Sequence, residues 1–436
     1  MRQLLTALEV PHLRAEALQC SYKLARRTWR HSFHQICSRV ASFPPPLTHY
    51  FIQMYTEPGD FVLDPFSGTG TAPLQACLNG RIGIGNDISP EAYALTAAKV
   101  DSPKAAEFFE YVVDLRKRLK SALPVNVEDR DLYFGSEFLK QKLNIRLYYH
   151  RETLSQLLKL RSLLLEEISS PSEKRCRCAR FCVALVLGIL HGDRPESLSL
   201  PLDRSKSLTS NHIIKMRKAH PGKYDTRYKD VMACIAMKAE KTFRNLTSNT
   251  KGQAFMSDAV KLSLKQKVDL VVTSPPYFNA HTYAYDNRHR LWFLGYDYQK
   301  VQQDMFQESN QTEYSNYMIR CLMNIQTMLK DDTACVLVVG DVEMTVGGRR
   351  GIVETGDQIA SRWSETKNTE MEVEKIILDA IPLKSRRYIH VPITKGIKQE
   401  RIVIFHKGKP RVKEPWIDWT QRPMSFIGPD WATLYE

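Results

Sequence analysis

Two short segments of this chain put chemistry-bearing residue types where a fold could use them. The first is Asp64-Pro65-Phe66-Ser67-Gly68-Thr69-Gly70-Thr71. Its two glycines let a backbone turn approach a ligand closely, and N–H groups at the start of a following helix suit a carboxylate or phosphate. Two common nucleotide motifs fail here. A phosphate-cradling loop needs Gly-Lys-Ser/Thr at its end, and no lysine follows. A dinucleotide fingerprint needs Gly or Ala at position 73, where Pro73 stands. Asp87, after the next apolar run, reads equally as an acceptor for two ribose hydroxyls or as a turn-capping carboxylate. Asp258, in FMSDAVKL, reads equally as the cap of a third strand or as a surface turn acid. A glycine turn with two acids at successive strand ends describes an adenosine site without a diphosphate.

The second segment is Thr273-Ser274-Pro275-Pro276-Tyr277, directly after the apolar run Val268-Asp269-Leu270-Val271-Val272. Two prolines forbid both helix and ladder continuation, so the strand must end and the chain must turn out. Backbone carbonyls are left free beside one hydroxyl and one aromatic ring. That is a cradle for a flat group with an exocyclic amine: Ser274 and the Pro275 carbonyl accept its two hydrogens, and Tyr277 stacks on its face. The bland alternative is a tight loop of any α/β protein, with Tyr277 as ordinary core.

Both segments require strands to carry them. Phe61-Val62-Leu63 follows the turn signal Pro58-Gly59-Asp60 and reads as a buried strand. APLQACLNG is a helical pattern stopped at Asn79-Gly80, RIGIGN is a second strand ending at Asp87, and Ser89-Pro90-Glu91 opens another helix. Strand–helix–strand–helix is the signature of a parallel sheet with covering helices. The alternation breaks from about 101 to 250, where LSQLLKLRSLLLEEI and CARFCVALVLGILHG are helical and residues 201–250 hold 11 Lys+Arg against 4 Asp+Glu. The sheet resumes at 268–272 and again at 334–341, and Glu374–Leu378 with Glu400–Phe405 form a closing antiparallel pair. The expected organisation is N-terminal helices with a cofactor half (1–100), a helical insertion (101–250), a catalytic half (251–410) and an aromatic-rich tail (411–436) packed along the surface in extended form.

Composition narrows the class. Of 436 residues, 43% are hydrophobic and 25% charged, which excludes wholesale disorder and fibrous or low-complexity chains. The balance of 62 basic against 48 acidic side chains leaves +14, spread along the chain, which favours a polyanionic partner. An odd count of nine cysteines, no signal-like N-terminus and no run of 18 apolar residues lead us to expect a reduced, soluble, cytoplasmic protein. Cys176, Cys178 and Cys182 lack a fourth ligand and read as thiols buried on a helix, so no metal is expected.

DPFSGTGT, GNDISPEA, SDAVKL with VDLVVTSPPY, and AYDNRHRLWFLG together resemble the amino-group DNA methyltransferases, and most of all the bacterial cytosine-N4 type with a Ser-Pro-Pro-Tyr motif. The resemblance covers roughly 30–100 and 250–406. It implies a doubly wound, mostly parallel seven-stranded α/β sheet, S-adenosylmethionine as donor, and a flipped target base in double-stranded DNA. It also implies that Asp64, Phe66, Gly68 and Gly70 surround the methionine part, that Asp87 takes the ribose and that Asp258 takes the adenine amine. Pro65, Ser67, Thr71 and Ile88 complete that set. The segment Phe43-Pro44-Pro45-Pro46-Leu47-Thr48 resembles the motif touching the donor's carboxylate, which brings in Thr48. The catalytic set is Ser274, Pro275, Pro276 and Tyr277.

The amine of cytosine is conjugated with its ring and is a poor nucleophile. Acceptors at both N–H groups draw the nitrogen toward tetrahedral geometry and free its lone pair for in-line attack, with the proton leaving afterwards to solvent. Phosphate contacts are expected from Arg204, Lys206, Lys215, Arg217, Lys218, Lys223, Arg227 and Lys229 in the insertion and from Arg290; His289 and Arg290 lie on the helix behind the catalytic loop and read equally as cleft-lining or as helix-surface residues. Serine, where adenine enzymes carry Asp or Asn, favours cytosine over adenine-N6. RNA methylation and an inactive DNA-binding regulator are the further alternatives. A restriction endonuclease acting separately is a possible companion, and no membrane partner is expected.

Overall fold

The computed structural model describes residues 16–17, 25, 29–39, 44–122, 133–134, 143–202, 206–245, 248–277, 283–305, 310–346, 349–380, 399–415, 417 and 419. Its centre is one sheet built from β1 (Phe61–Asp64), β2 (Ile82–Asn86), β3 (Gln253–Phe255), β4 (Val268–Thr273), β5 (Leu329–Gly340), β6 (Glu372–Ala380) and β7 (Gln399–Lys407). The spatial order is β3-β2-β1-β4-β5-β7-β6, the expected seven strands, and a two-residue strand at Glu16–Ala17 adds an eighth beside β6. The run from β3 to β5 is parallel, and β7 lies antiparallel between β5 and β6.

Alternating side chains send the strands' apolar groups to two faces. Val62, Leu270, Val272, Val336 and Ile404 meet Leu47, Phe51 and Ile52 of helix α1 (Pro45–Tyr55) and Ala72 and Ala76 of α2 (Thr71–Leu78). Leu63, Val271, Cys335, Leu337 and Phe405 meet the helices Gln311–Met328 and Thr355–Ser364 on the other side. Strands buried on both faces explain why β1, β4 and β5 read as continuous apolar runs.

The insertion folds onto this frame. Helices α3 (Pro90–Val100), α4 (Ala105–Ser121), α5 (Arg151–Glu167), α6 (Glu173–Ile189), α7 (Ser210–Ala219) and α8 (Val231–Thr242) share one buried cluster with Phe33, Leu74 and the helix Arg288–Leu294. Cys178 and Cys182 are buried on α6 and Cys176 is half-buried, and burial pushes the Cys178 thiol up to about 11. Among the described residues no cluster of metal-ligating side chains forms, and no helix is long and apolar enough to cross a membrane. In the tail, Trp419 is buried, with its ring 5.0 Å from that of Trp29.

Candidate active site

The strand order places the two segments. β1 pairs in parallel with β4, Val62 opposite Leu270 and Leu63 opposite Val271. The loops leaving their carboxyl ends must therefore emerge side by side. Because β2 lies on one side of β1 and β4 on the other, this is the point where an open α/β sheet splits into a crevice. Asp64, Pro65, Phe66, Ser67, Gly68, Thr69, Thr71, Asp87 and Ile88 line one open cleft of about 1000 Å³ together with Ser274, Pro275, Pro276 and Tyr277. A direct bond joins the two loops: the Thr273 hydroxyl donates to Asp64 Oδ1 at 2.5 Å, and the Phe66 N–H donates to the same oxygen at 3.1 Å. Asp64 is 2% exposed. Burial pushes its carboxyl up to about 7, against the opposing pull of the Thr273 and Phe66 hydrogen bonds.

The glycine turn is held from behind. Gly70 has φ +72°, and a Cβ there would stand 2.8 Å from Thr96 Oγ1 and 3.0 Å from Thr96 Cα. The same threonine meets Ser67 Oγ at 3.0 Å, and the buried Lys99 ammonium donates to the Thr69 carbonyl. Burial lowers the Lys99 pKa to about 8. Pro73, which excluded the dinucleotide reading, seats its carbonyl against Gly83 so closely that a Cβ at 83 would lie 2.0 Å from the oxygen.

Asp87 serves its turn and borders the cleft at once. It accepts from Gly68 N–H at 2.8 Å and from Ser89 N–H at 2.9 Å, fixing the glycine turn to the end of β2. Asp258 accepts from Val260 N–H at 3.0 Å and meets the Tyr317 hydroxyl at 3.5 Å. Its neighbours Ser257 and Ala259, and Tyr317 itself, line the cleft. Thr48 does not join them: it is fully buried and its hydroxyl donates to Pro45 in its own helix. Phe43 lies outside the described residues.

The Pro-Pro loop is pinned at both ends. Tyr314 donates to the Pro276 carbonyl at 2.9 Å, and the Tyr277 hydroxyl donates to Glu400 Oε1 on β7 at 2.8 Å. Burial raises the Tyr277 pKa well above the ordinary phenol range, and the adjoining Glu400 carboxylate adds to it while a hydrogen bond with Ser274 opposes. Sequence reasoning missed these tyrosine and glutamate partners, and it missed Arg39, Tyr283, Gln302 and Met305 on the cleft wall. Arg39 lies 3.3 Å from Glu91 and 5.6 Å from the centre of the Tyr283 ring. Burial opposes its charge, but Glu91 and Asp87 outweigh burial and hold it protonated.

The predicted phosphate contacts separate into two kinds. Arg290 is a correction: it is 1% exposed, its guanidinium donating to Leu187 O at 3.3 Å, to Ser38 O at 2.7 Å and to Asn287 Oδ1. It is an internal strut. His289 is likewise fully buried, its ring 4.3 Å from that of Tyr148, and does not reach the cleft. Arg217 donates to Tyr224 O at 3.0 Å and to Leu147 O at 2.9 Å, and Lys229 to Pro195 O at 2.9 Å, so both are tied to backbone. Lys206, Lys215, Lys218, Lys223 and Arg227 are exposed on α7 and its flanking loops. Arg204 lies outside the described residues.

Residues 20–99 match a family model described as DNA methylase, covering the N6 and N4 types. The chain is 30% identical over 118 residues to the Type II methyltransferase M.MthZI of Methanothermobacter thermautotrophicus, covering 26% of this chain and 32% of that protein. It is 35% identical over 97 residues to the Type II methyltransferase M.PvuII of Proteus hauseri, covering 22% and 27%. The matches therefore span about a third or less of these curated relatives. Among solved structures, TrmN from Thermus thermophilus overlaps 88% of this chain and 53% of its own at 10% identity and a TM-score of 0.31. The glycopeptide N-methyltransferase MtfA overlaps 85% and 96% at 9% identity and 0.29. Overlaps this slight carry no weight for chemistry. Residues 20–99 are thus similar in sequence to the amino-group DNA methyltransferases, with the adenine and cytosine types undivided.

Proposed function

We propose that this protein transfers a methyl group from S-adenosylmethionine to the exocyclic N4 of cytosine in double-stranded DNA, with the target base flipped into the cleft. The observation that carries this reading is the shared cleft: the glycine turn and the Ser-Pro-Pro-Tyr loop border one space and are joined by the Thr273–Asp64 bond. The wall also suits the donor. Among the described lining residues, Asp64 and Asp87 are acidic, and Arg39 is already paired with Glu91. The acceptor oxygens on that wall favour a ligand that brings hydroxyl donors. When bound, the donor supplies an electrophilic methyl on a sulfonium.

The chain's own residues then divide the work. Asp64 and Phe66 would hold the methionine part, Asp87 the ribose hydroxyls, and the turn at 257–259 the adenine. Ser274 Oγ and the Pro275 carbonyl accept the two amine hydrogens, and the Tyr277 ring holds the base face. Fixing both partners in one cleft replaces a collision in water by a unimolecular step, an advantage of about 7–11 kcal/mol in well-oriented cases. Flipping the base costs a few kcal/mol, which basic contacts to phosphate offset. Relatives named as Type II methyltransferases support a place in restriction-modification.

The test is incubation of the purified chain with tritiated S-adenosylmethionine and unmethylated phage DNA, followed by nucleoside analysis. N4-methylcytosine is expected. N6-methyladenine would select the adenine type, and label in RNA alone would overturn the DNA reading. Ser274→Ala and Tyr277→Ala should lose transfer while retaining donor binding by calorimetry, and full activity in both would overturn the catalytic assignment.

A further inference from the structure

Methyl transfer to an amine leaves one proton too many on the nitrogen, and the cleft borders a route for it. Tyr277 lines the cleft, hydrogen bonds with Ser274, and donates at 2.8 Å to Glu400 Oε1. Glu400 sits on β7 directly opposite Asp379 of β6, so two carboxylates stand side by side behind the loop. Its other strand partner is Gly340 of β5, which brings no charge. The next residue, Arg401, projects to the opposite face of the strand. There it is taken up by Asp341 at 2.8 Å, Glu354 at 2.5 Å and Asp357 at 2.6 Å, and so does not neutralise Glu400.

We infer that Glu400 is the terminal proton acceptor of the reaction, reached from the target amine through Ser274 and Tyr277. This rests on the methyltransferase reading above. As the methylated nitrogen gives its N–H proton to Ser274 Oγ, the serine proton passes to Tyr277 Oη and the tyrosine proton passes to Glu400 Oε1. The N–H bond breaks with its electron pair remaining on nitrogen, and an O–H bond forms on Glu400. The products are a neutral methylated amine and a neutral carboxylic acid, with serine and tyrosine unchanged. Glu400 touches no substrate: it acts through Tyr277 and is in that sense a positioning residue. Its surroundings suit a base of moderate strength. Burial pushes its carboxyl up against the opposing hydrogen bond from Tyr277, and Asp379 is pushed up to about 7 by burial and by Glu400. The groups facing this site are Tyr277, Tyr283 through its effect on Tyr277, and Asp379.

The experiment is single-turnover transfer of tritiated methyl to unmethylated phage DNA across pH, with donor affinity measured in parallel. The unaltered protein should show an acid limb above the ordinary carboxylate range. Glu400→Gln keeps an acceptor for the Tyr277 hydroxyl but is a far weaker base. It should slow transfer about a hundredfold, flatten the acid limb and leave donor affinity unaltered, and Glu400→Asp should restore part of both rate and limb. Tyr277→Phe, which keeps the ring and removes the relay oxygen, should flatten the limb too, and it serves if Glu400→Gln does not fold. Transfer by Glu400→Gln at the original rate, or slowed equally at every pH with the limb intact, overturns the proposal. An unaltered protein that methylates no DNA overturns the parent reading and this one with it.

Discussion

At the scale of single residues, Asp64 is held where folding disfavours its charge. Its carboxyl titrates at about 7 in the fold against 3.8 for the free side chain. Between those values the folded chain keeps a proton that the unfolded chain has lost, so stability declines as pH rises through that window and levels off above it. The full difference corresponds to about 4 kcal/mol, an upper bound for a buried group with two hydrogen bonds. Asp64→Asn keeps an acceptor for Thr273 and removes the buried charge. Thermal melts should show it more stable than the parent at pH 8 and scarcely so at pH 4, while calorimetry shows weaker donor binding. Equal gains at both pH values would contradict this account. Asp87 matters through the backbone groups it holds. Asp87→Ala strands the Gly68 and Ser89 N–H groups, so it should lower stability by about 1–3 kcal/mol in addition to weakening the donor site.

At the scale of elements, the contacts that set the cleft are between backbones. The approach of Pro73 to Gly83 fastens α2 to β2, and the intruding atom is a carbonyl oxygen. Gly83→Ala should therefore cost about 1–3 kcal/mol or more, read as a fall in melting temperature, and Pro73→Ala should not rescue it because the carbonyl remains. An unchanged melting temperature would show that the two elements part easily. The same distinction separates what could be read in the sequence from what could not. β1, β4, β5 and the two loops were legible because an apolar run ending at glycine or proline is a local signal. β3 was not: Gln253–Phe255 is three residues long and its side chains are only partly buried. Glu400, Tyr314 and Arg39 reach the site from distant positions, and no local pattern marks them. Arg290 was misread because a cation in a polar-looking stretch is usually solvated, and here three carbonyl-type acceptors draw it inside.

At the scale of the whole molecule, the excess of +14 is sorted by burial into two populations. Arg290, Arg217 and Arg39 spend their donors within the fold. Lys215, Lys218, Lys223 and Arg227 stand exposed along α7 and the turn after it. If that face meets the phosphate backbone, its charges act as a sum, and the sum is read from salt dependence. Binding of duplex DNA should weaken linearly on a log–log plot against salt, with about 0.9 of slope for each phosphate neutralised. Changing Lys215, Lys218 and Lys223 together to Gln should make the slope shallower by about one unit per lost contact and leave the melting temperature unaltered. Arg290→Ala should do the reverse. It leaves the salt slope alone and destabilises the fold, because the Ser38 and Leu187 carbonyls lose their partner. A triple variant with the parent's slope would move the DNA footprint off the insertion altogether, whereas a shallower slope in Arg290→Ala alone would return that arginine to the surface.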